Sequence, residues 1–294
     1  MNRNRRIMIA SVLAASLSGM AMLGAHAQEA DAPPMQHWSF SGPFGMYDPE
    51  QLQRGFKIYR EVCSTCHSMK LLSFRNLADA GGPSFTEAQA AAVAASFQVT
   101  DGPNDSGQMF QRPGKISDYF PSPFANDQAA RAALGGGLPP DMSTLAKART
   151  YDEPFPGFII DAFTMYQEQG PDYIHAILNG YTDAPAGFPL APGTFYNKYF
   201  PGHAIHMPPP LKDGQVQYTD GTPQTLDQYG RDVAAFLMWA SEPKLDERKR
   251  LGFQVMIFLF VFAGLLYFTK KRVWHAVELH PELEQPRAPT EYRR

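Results

Sequence analysis

Cys63-Ser64-Thr65-Cys66-His67 contains the only two cysteines of the 294-residue chain. It reads C-x-x-C-H, the attachment sequence for a c-type haem. Two thiols must reach two vinyl groups of one porphyrin, and the next residue must offer an imidazole nitrogen to the iron. Two intervening residues followed at once by His67 meet all three demands. Both cysteines are used, so none remains for a disulfide. The competing reading is a redox C-x-x-C followed by an incidental histidine. It needs a βαβ setting, and the sequence shows none.

The chain ends set the compartment. Arg3, Arg5 and Arg6 precede an apolar stretch from Ile7 to about Leu23, and Ala25-His26-Ala27 is a small-x-small cleavage pattern. Residues 1–27 therefore read as an export signal. A retained N-terminal anchor fits less well, because serines and glycine break the run. A second apolar segment, Leu251 to Thr269, has nineteen residues and no charge. At 1.5 Å per residue that length just spans a hydrocarbon core of about 30 Å. It is apolar on every face, which argues against a buried core helix. Basic residues flank both ends, Arg248-Lys249-Arg250 and Lys270-Lys271-Arg272, so the positive-inside rule gives no clear orientation. The export signal supplies it. The expected layout is a periplasmic domain over 28–247, a membrane helix over 248–270 and a cytoplasmic tail over 271–294. This makes the chain a single-pass protein of the inner membrane, in contact with the lipid bilayer.

Residues 28–250 carry 25 acidic against 17 basic side chains, a net charge of −8 that the whole-chain value of −3 conceals. An acidic redox domain attracts a basic partner in a salt-dependent way. Nothing in the charge pattern suggests nucleic-acid binding.

The chain has 26 prolines and 24 glycines and no long alternating pattern, so the expected fold is mainly α, with helices joined by long Pro/Gly-rich loops. Asp48-Pro49 opens one helix as cap and first residue, with Leu52, Phe56, Tyr59 and Cys63 along one face. A second is expected from about Asp172 to Asn179, stopped by Gly180. A third runs from about Leu226 to Ser241, before Pro243. The first and third should cross as in a small cytochrome c, with Gly55 and Phe56 meeting Tyr229 and Phe236.

A six-coordinate electron-transfer haem needs a second axial ligand, commonly histidine or methionine. Met69 is too close to His67 to reach the opposite face, and Met238 belongs to the last helix. Met109 is a further downstream methionine, and Met142 and Met165, near expected helices or turns, are possible ligands. Met207, in His206-Met207-Pro208-Pro209-Pro210, has the expected place before that helix, and the prolines fix φ and lower loop entropy. His203 and His206 are rival ligands.

These residues together resemble the cytochrome c1 family, the haem subunits of the cytochrome b–c1 (quinol:cytochrome c reductase) complex, in its alphaproteobacterial form. The resemblance covers most of the chain after the export signal. It rests on Trp38-Ser39-Phe40-Ser41-Gly42-Pro43-Phe44-Gly45, the haem stretch through Arg75-Asn76-Leu77, and Leu138-Pro139-Pro140-Asp141-Met142-Ser143. Tyr199 through Leu211, Asp220-Gly221-Thr222-Pro223, Trp239-Ala240-Ser241-Glu242-Pro243 and Arg248-Lys249-Arg250-Leu251-Gly252 extend it. It implies one covalently attached haem c, with His67 and Met207 as axial ligands, Arg149 on a haem propionate and Tyr173 beside the haem. Thr150 to Gly170 is an insertion relative to the mitochondrial form.

The resemblance further implies a respiratory or photosynthetic electron carrier with cytochrome b and a Rieske iron–sulfur protein as partners in one membrane complex, which would be dimeric. The Rieske protein would donate one electron, and a mobile, basic, periplasmic cytochrome c would accept it. No bond chemistry is expected in this chain alone. A solitary anchored cytochrome c or an oxidase haem subunit would have a smaller domain. A dihaem peroxidase needs a second C-x-x-C-H, and a haem sensor needs an output domain that the short tail does not provide.

Overall fold

A computed structural model describes residues 30–151, 155–164, 166 and 168–279. The expected export signal, Met165 and residues 280–294 lie outside the described residues. The protein is mainly helical, as expected, and residues 1–243 and 244–294 form two separate units.

Helix α1, Pro49–Glu61, begins where the sequence places it. Asp48 Oδ1 accepts from the backbone N–H of Glu50 at 3.0 Å and of Gln51 at 3.4 Å, and Pro49 occupies the first turn. Leu52, Phe56, Ile58 and Tyr59 are buried, and Cys63 follows in a 3-10 turn, Cys63–Thr65. Four short helices follow: α2 Glu87–Ala95, α3 Asp127–Ala133, α4 Leu145–Ala148 and α5 Gly157–Thr164. Helix α6 is Gln169–Asn179 and α7 is Leu226–Ser241, capped by Thr225.

The sequence places the start of α6 three residues too late. Pro171 and Asp172 lie inside the first turn, where proline has no N–H to lose and a carboxylate faces the positive helix end. Gly180 does end α6, but not through a left-handed cap, since its φ is −89°. Its contribution is space: a Cβ there would stand 2.6 Å from Tyr199 Cδ2 and 2.7 Å from Asn197 Oδ1.

Helices α1 and α7 pack on each other, and α6 and α4 also lie against α7. Gly55 makes the α1–α7 approach possible, because a Cβ at that position would stand 2.1 Å from the Asp232 carbonyl oxygen and 2.6 Å from Phe236 Cβ. Phe56 and Tyr59 reach the Phe236 ring at centroid distances of 5.7 and 5.9 Å. Tyr229 does not join them. Its ring lies edge-on to Tyr218, and its hydroxyl donates to the Val216 carbonyl at 2.6 Å. That position is two helical turns nearer the start of α7 than Phe236, where its hydroxyl reaches the preceding loop.

Asp232 is fully buried in this crossing. Arg54 Nε, the Tyr218 hydroxyl and Gln228 Nε2 donate to it at 3.0, 2.9 and 2.9 Å. A buried charge is tolerable when it is paired and hydrogen-bonded in this way.

Two antiparallel ribbons complete the first unit. Strands β1, Gln98–Asp101, and β2, Phe110–Pro113, pair with Gln98 opposite Pro113; β3, Phe195–Tyr196, and β4, Ala204–Ile205, pair with Phe195 opposite Ile205. Strands of four and two residues are too short to leave an alternating pattern in the sequence.

The second unit is dominated by helix α8, Leu245–Leu279. It contains the expected 248–270 span and continues beyond it at both ends. Leu251, Phe258, Phe260, Leu265 and Phe268 are all more than half exposed. A helix apolar on all sides and bare of protein contact is what a lipid-facing span requires.

Candidate functional site: a haem c cradle

The end of α1 delivers the cysteine pair. The N–H groups of Cys66 and His67 both donate to the Cys63 carbonyl, at 3.1 and 2.9 Å, which winds the five residues into one tight turn. The Thr65 hydroxyl donates to the Val62 carbonyl at 2.7 Å and the Ser64 hydroxyl to Arg60 at 2.8 Å. Both cysteines are free of disulfides. Burial, reinforced by Cys66, pushes the Cys63 thiol up to about 12. A redox-active C-x-x-C needs the reverse, a thiol with a lowered pKa. The competing reading of the motif loses its chemistry here.

His67 is buried, and its Nδ1 lies 2.9 Å from the Pro140 carbonyl oxygen. A carbonyl can only accept, so Nδ1 carries the proton and Nε2 keeps its lone pair. Burial depresses the imidazole pKa, against the pull of Pro140 and Asp141. A neutral imidazole with one nitrogen anchored and the other free is the form that ligates a metal.

The chain that supplies Pro140 also reaches the Met207 loop. A Cβ added to Gly137 would stand 3.2 Å from His206 Cβ, while Met142 N–H donates to the Ser68 carbonyl at 2.8 Å. Residues 137–142 thus run from beside His206 to beside His67. Met207 is half-buried, and its carbonyl accepts from the Tyr181 hydroxyl at 2.9 Å.

The rival ligands have other surroundings. His203 is buried and sits at a φ of 57°. Its Nδ1–H donates to the Asn197 carbonyl at 3.1 Å, and its ring stacks on Tyr196 at 5.3 Å. It braces the β3–β4 hairpin. His206 is exposed, and Met109 is 60% exposed. Met69 and Met238 are core residues, and Met142 belongs to the segment that braces His67.

Arg149 follows α4 and is exposed. Among the described residues it has no ion pair, and its Nη1 donates only to the Ala148 carbonyl, at 3.3 Å. A guanidinium without a protein carboxylate suits a propionate, which matches its planar fork. Tyr173, on α6, is half-buried. Burial raises its phenol pKa, and the charge of Arg149 opposes that rise. Gly170 brings α6 this close to α4: a Cβ there would fall 1.7 Å from the Ala146 carbonyl oxygen.

The donor set fits a haem c: two thiols outside any disulfide, an anchored imidazole whose Nε2 carries no proton, and a guanidinium with no ion pair among the described residues. Ser68, Asp141, Ser143 and Tyr181 were not among the residues expected to shape this site. Pro140-Asp141-Met142-Ser143 did carry a signal, since an acid followed by a hydroxyl residue two positions on is turn chemistry.

The sequence matches the family described as Cytochrome C1 over residues 38–277. It is 57% identical over 270 residues to "Cytochrome b/c1" of Bradyrhizobium diazoefficiens, covering 91% of this chain but only 39% of that protein. It is 51% identical to "Cytochrome c1" of Blastochloris viridis over 260 residues, covering 88% and 92% of the two chains. The mitochondrial "Cytochrome c1 1, heme protein" of Arabidopsis thaliana is 44% identical over 260 residues, with 87% and 78% covered. Since the match takes in the cysteine turn, the His67 brace, the Met207 loop and most of the long apolar helix, the chain belongs to the cytochrome c1 family of single-pass membrane proteins, the haem-bearing electron-transfer subunits of the cytochrome bc1 complex.

Proposed function

We propose that this chain relays single electrons from a Rieske iron–sulfur protein to a mobile periplasmic cytochrome c. The observation that carries the reading is His67, buried beside the cysteine pair with Nδ1–H tied to the Pro140 carbonyl, so that Nε2 keeps its lone pair. Bound in this cradle, a haem c supplies a one-electron iron couple. Cys63 and Cys66 would hold it by thioether bonds. His67 and Met207 would be its axial ligands, Arg149 would neutralise a propionate, and Tyr173 would exclude water from the same edge. A thioether ligand favours ferrous iron and raises the potential. This chain alone would carry no bond chemistry. Quinol oxidation belongs to partner chains.

Cytochrome b is the first partner of the reading. The printed name "Cytochrome b/c1" of the Bradyrhizobium relative joins both proteins in one name, and its extra length leaves room for a second protein. The complex would be a dimer. Residues 1–27 would direct export, 28–247 would stand in the periplasm, 248–270 would cross the bilayer, and 271–294 would remain in the cytoplasm. The net charge of −8 over residues 28–250 would draw in a basic cytochrome c.

The test is purification in mild detergent through a tag on the C-terminal tail, followed by a reduced-minus-oxidised optical spectrum. Bands of both b- and c-type haem, with quinol-driven reduction of added cytochrome c, are expected. A c-type band alone, from a preparation shown to be intact, would leave a solitary anchored carrier. Added salt should slow electron transfer to the basic acceptor by screening over roughly 8–10 Å. A flat salt response would remove the acidic docking face.

A further inference from the structure

Asp141 is a carboxylate that the ligand set leaves unused. Its Oδ2 accepts from the Ser68 hydroxyl at 2.7 Å and from the Lys70 N–H at 3.0 Å, and its Oδ1 accepts from the Ser143 N–H at 2.9 Å. Two bonds run alongside these: Met142 N–H to the Ser68 carbonyl at 2.8 Å, and Leu71 N–H to the Ser143 hydroxyl at 3.0 Å. Residues 141–143 are thereby stapled to residues 68–71. Asp141 directly follows Pro140, whose carbonyl holds His67, and its hydrogen-bond partner Ser68 directly follows His67.

The carboxylate stays charged. Burial would push its pKa up, but hydrogen bonds from Ser143, Lys70 and Ser68 outweigh burial and hold it below the usual range. Among the described residues no salt bridge reaches it, and its partners are dipoles: the Ser68 and Ser143 hydroxyls and the Lys70 and Ser143 N–H groups.

We infer that Asp141 is a positioning residue for His67, fixing the Pro140 carbonyl against Nδ1 and setting a negative charge behind the imidazole that lowers the reduction potential of the site. This rests on the haem reading above. A stronger hydrogen bond at the outer nitrogen makes the ligating nitrogen a better electron donor. That donation and the nearby negative charge both favour ferric over ferrous iron.

The sign separates this role from a merely structural one. Loosening the staple would admit water, which favours the more charged ferric state and lowers the potential. Removing the charge while keeping the shape would raise it. The experiment uses the full-length chain in its membrane complex and compares Asp141→Asn with wild type by redox titration of the c-type band. At an ambient potential equal to the wild-type midpoint, the reduced-to-oxidised ratio should rise about tenfold, equivalent to about 59 mV for one electron. An unchanged or lowered potential, with covalent haem and the ferric methionine-ligand band retained, would overturn the inference.

Should Asp141→Asn yield no haem protein, Ser68→Ala decides. It removes one donor and leaves the charge less shielded, so the ratio should fall while the His67 Nδ1 proton of the ferric protein, followed by NMR, exchanges with solvent as slowly as in wild type. A ratio that holds or rises, or a fall accompanied by faster exchange of that proton, would overturn the proposal. Wild-type protein without a covalent c-type band would instead defeat the haem reading itself, which the same spectrum shows before any titration.

Discussion

The His67 side of the cradle and the Met207 side are built by different means. On the His67 side, side chains and backbone of residues 68–71 are hydrogen-bonded to residues 141–143, and the imidazole itself is tied to Pro140. On the Met207 side the ties among the described residues are fewer: the Tyr181 hydroxyl donates to the Met207 carbonyl at 2.9 Å and Gln215 Nε2 to the Pro210 carbonyl at 3.2 Å, beyond a ribbon of two residues per strand. Pro208, Pro209 and Pro210 follow directly. The first side is fixed by polar contacts in the folded state. The second relies more on restricting the unfolded chain, since each proline reduces the conformations to be lost on ordering. Imidazole ligation needs a particular tautomer and ring angle, whereas a thioether on a flexible side chain needs mainly to be kept nearby.

The sharpest break in this comparison comes from removing each ligand in turn. His67→Ala should abolish the low-spin c-type spectrum. Met207→Leu should retain covalent haem, lower its potential substantially, and open the iron to carbon monoxide in the ferrous state. Optical spectra with redox titration read both. A Met207→Leu protein with unchanged potential and no carbon monoxide binding would remove Met207 as ligand.

The next effect tests the support beneath the His67 side. Helix α1 ends in the cysteine turn, so its seat against α7 fixes where that turn begins. Gly55→Ala places a methyl group 2.1 Å from the Asp232 carbonyl oxygen. Backbone must shift, at a cost of about 1–3 kcal/mol or somewhat more. Denaturant unfolding of the haem-loaded protein should show that loss, with spectrum and potential nearly unchanged while it remains folded. A Gly55→Ala protein as stable as wild type would mean that the helix crossing has slack.

Tyr181→Phe makes the smaller cut on the Met207 side. It deletes one hydrogen bond and leaves a half-buried carbonyl, a loss of about 1 kcal/mol. Because the prolines remain, the methionine-ligand band of ferric protein should persist at pH 7 and disappear at a lower temperature than in wild type. Equal thermal loss in the two proteins would show that the proline run holds the loop without the tyrosine.

What could be read from the sequence follows the same division. Helices α1 and α7 were legible because caps, proline positions and apolar spacing are local signals, and the cysteine turn because its spacing is dictated by the porphyrin. The α1–α7 crossing was half legible: Gly55 and Phe56 meet Phe236, but Tyr229 turns to Val216. Which residue lies opposite another depends on where two helices cross, and no single helix encodes that. The clamp on His67 was hidden for a similar reason. Ser68 and Asp141 are 73 positions apart, and each alone is an ordinary polar residue in a turn. Glu168 and Gln169, just before the expected start of α6, carry no helix-stop signal, so only the packed structure shows that the helix begins before Asp172.

The smallest effect lies beneath both sides, where α6 meets α7. His175 is buried; its Nε2 is 2.9 Å from Asp227 Oδ1, and its Nδ1 is buried with no hydrogen-bond partner among the described residues. The neutral ring that donates through Nε2 therefore fits this place, and a second proton on Nδ1 would have no acceptor. Burial lowers its pKa below 6.5, with Arg231 adding to the effect and Asp227 opposing it. In the unfolded chain the ring takes its proton near pH 6.5, and in the folded chain only at lower pH. The unfolded state thus binds more protons in that window, and stability must rise with pH through it, by at most about 1.4 kcal/mol per pH unit for one group. The contribution is complete above pH 6.5 and is lost as pH falls toward the folded value. Unfolding free energies of wild type and His175→Gln between about pH 5.5 and 7.5 isolate this term, since the carboxylates are common to both. Wild type should gain stability over the variant as pH rises. Parallel pH profiles would mean that Asp227 carries the proton-bound ring at no net cost, and that the α6–α7 seat tolerates a charge.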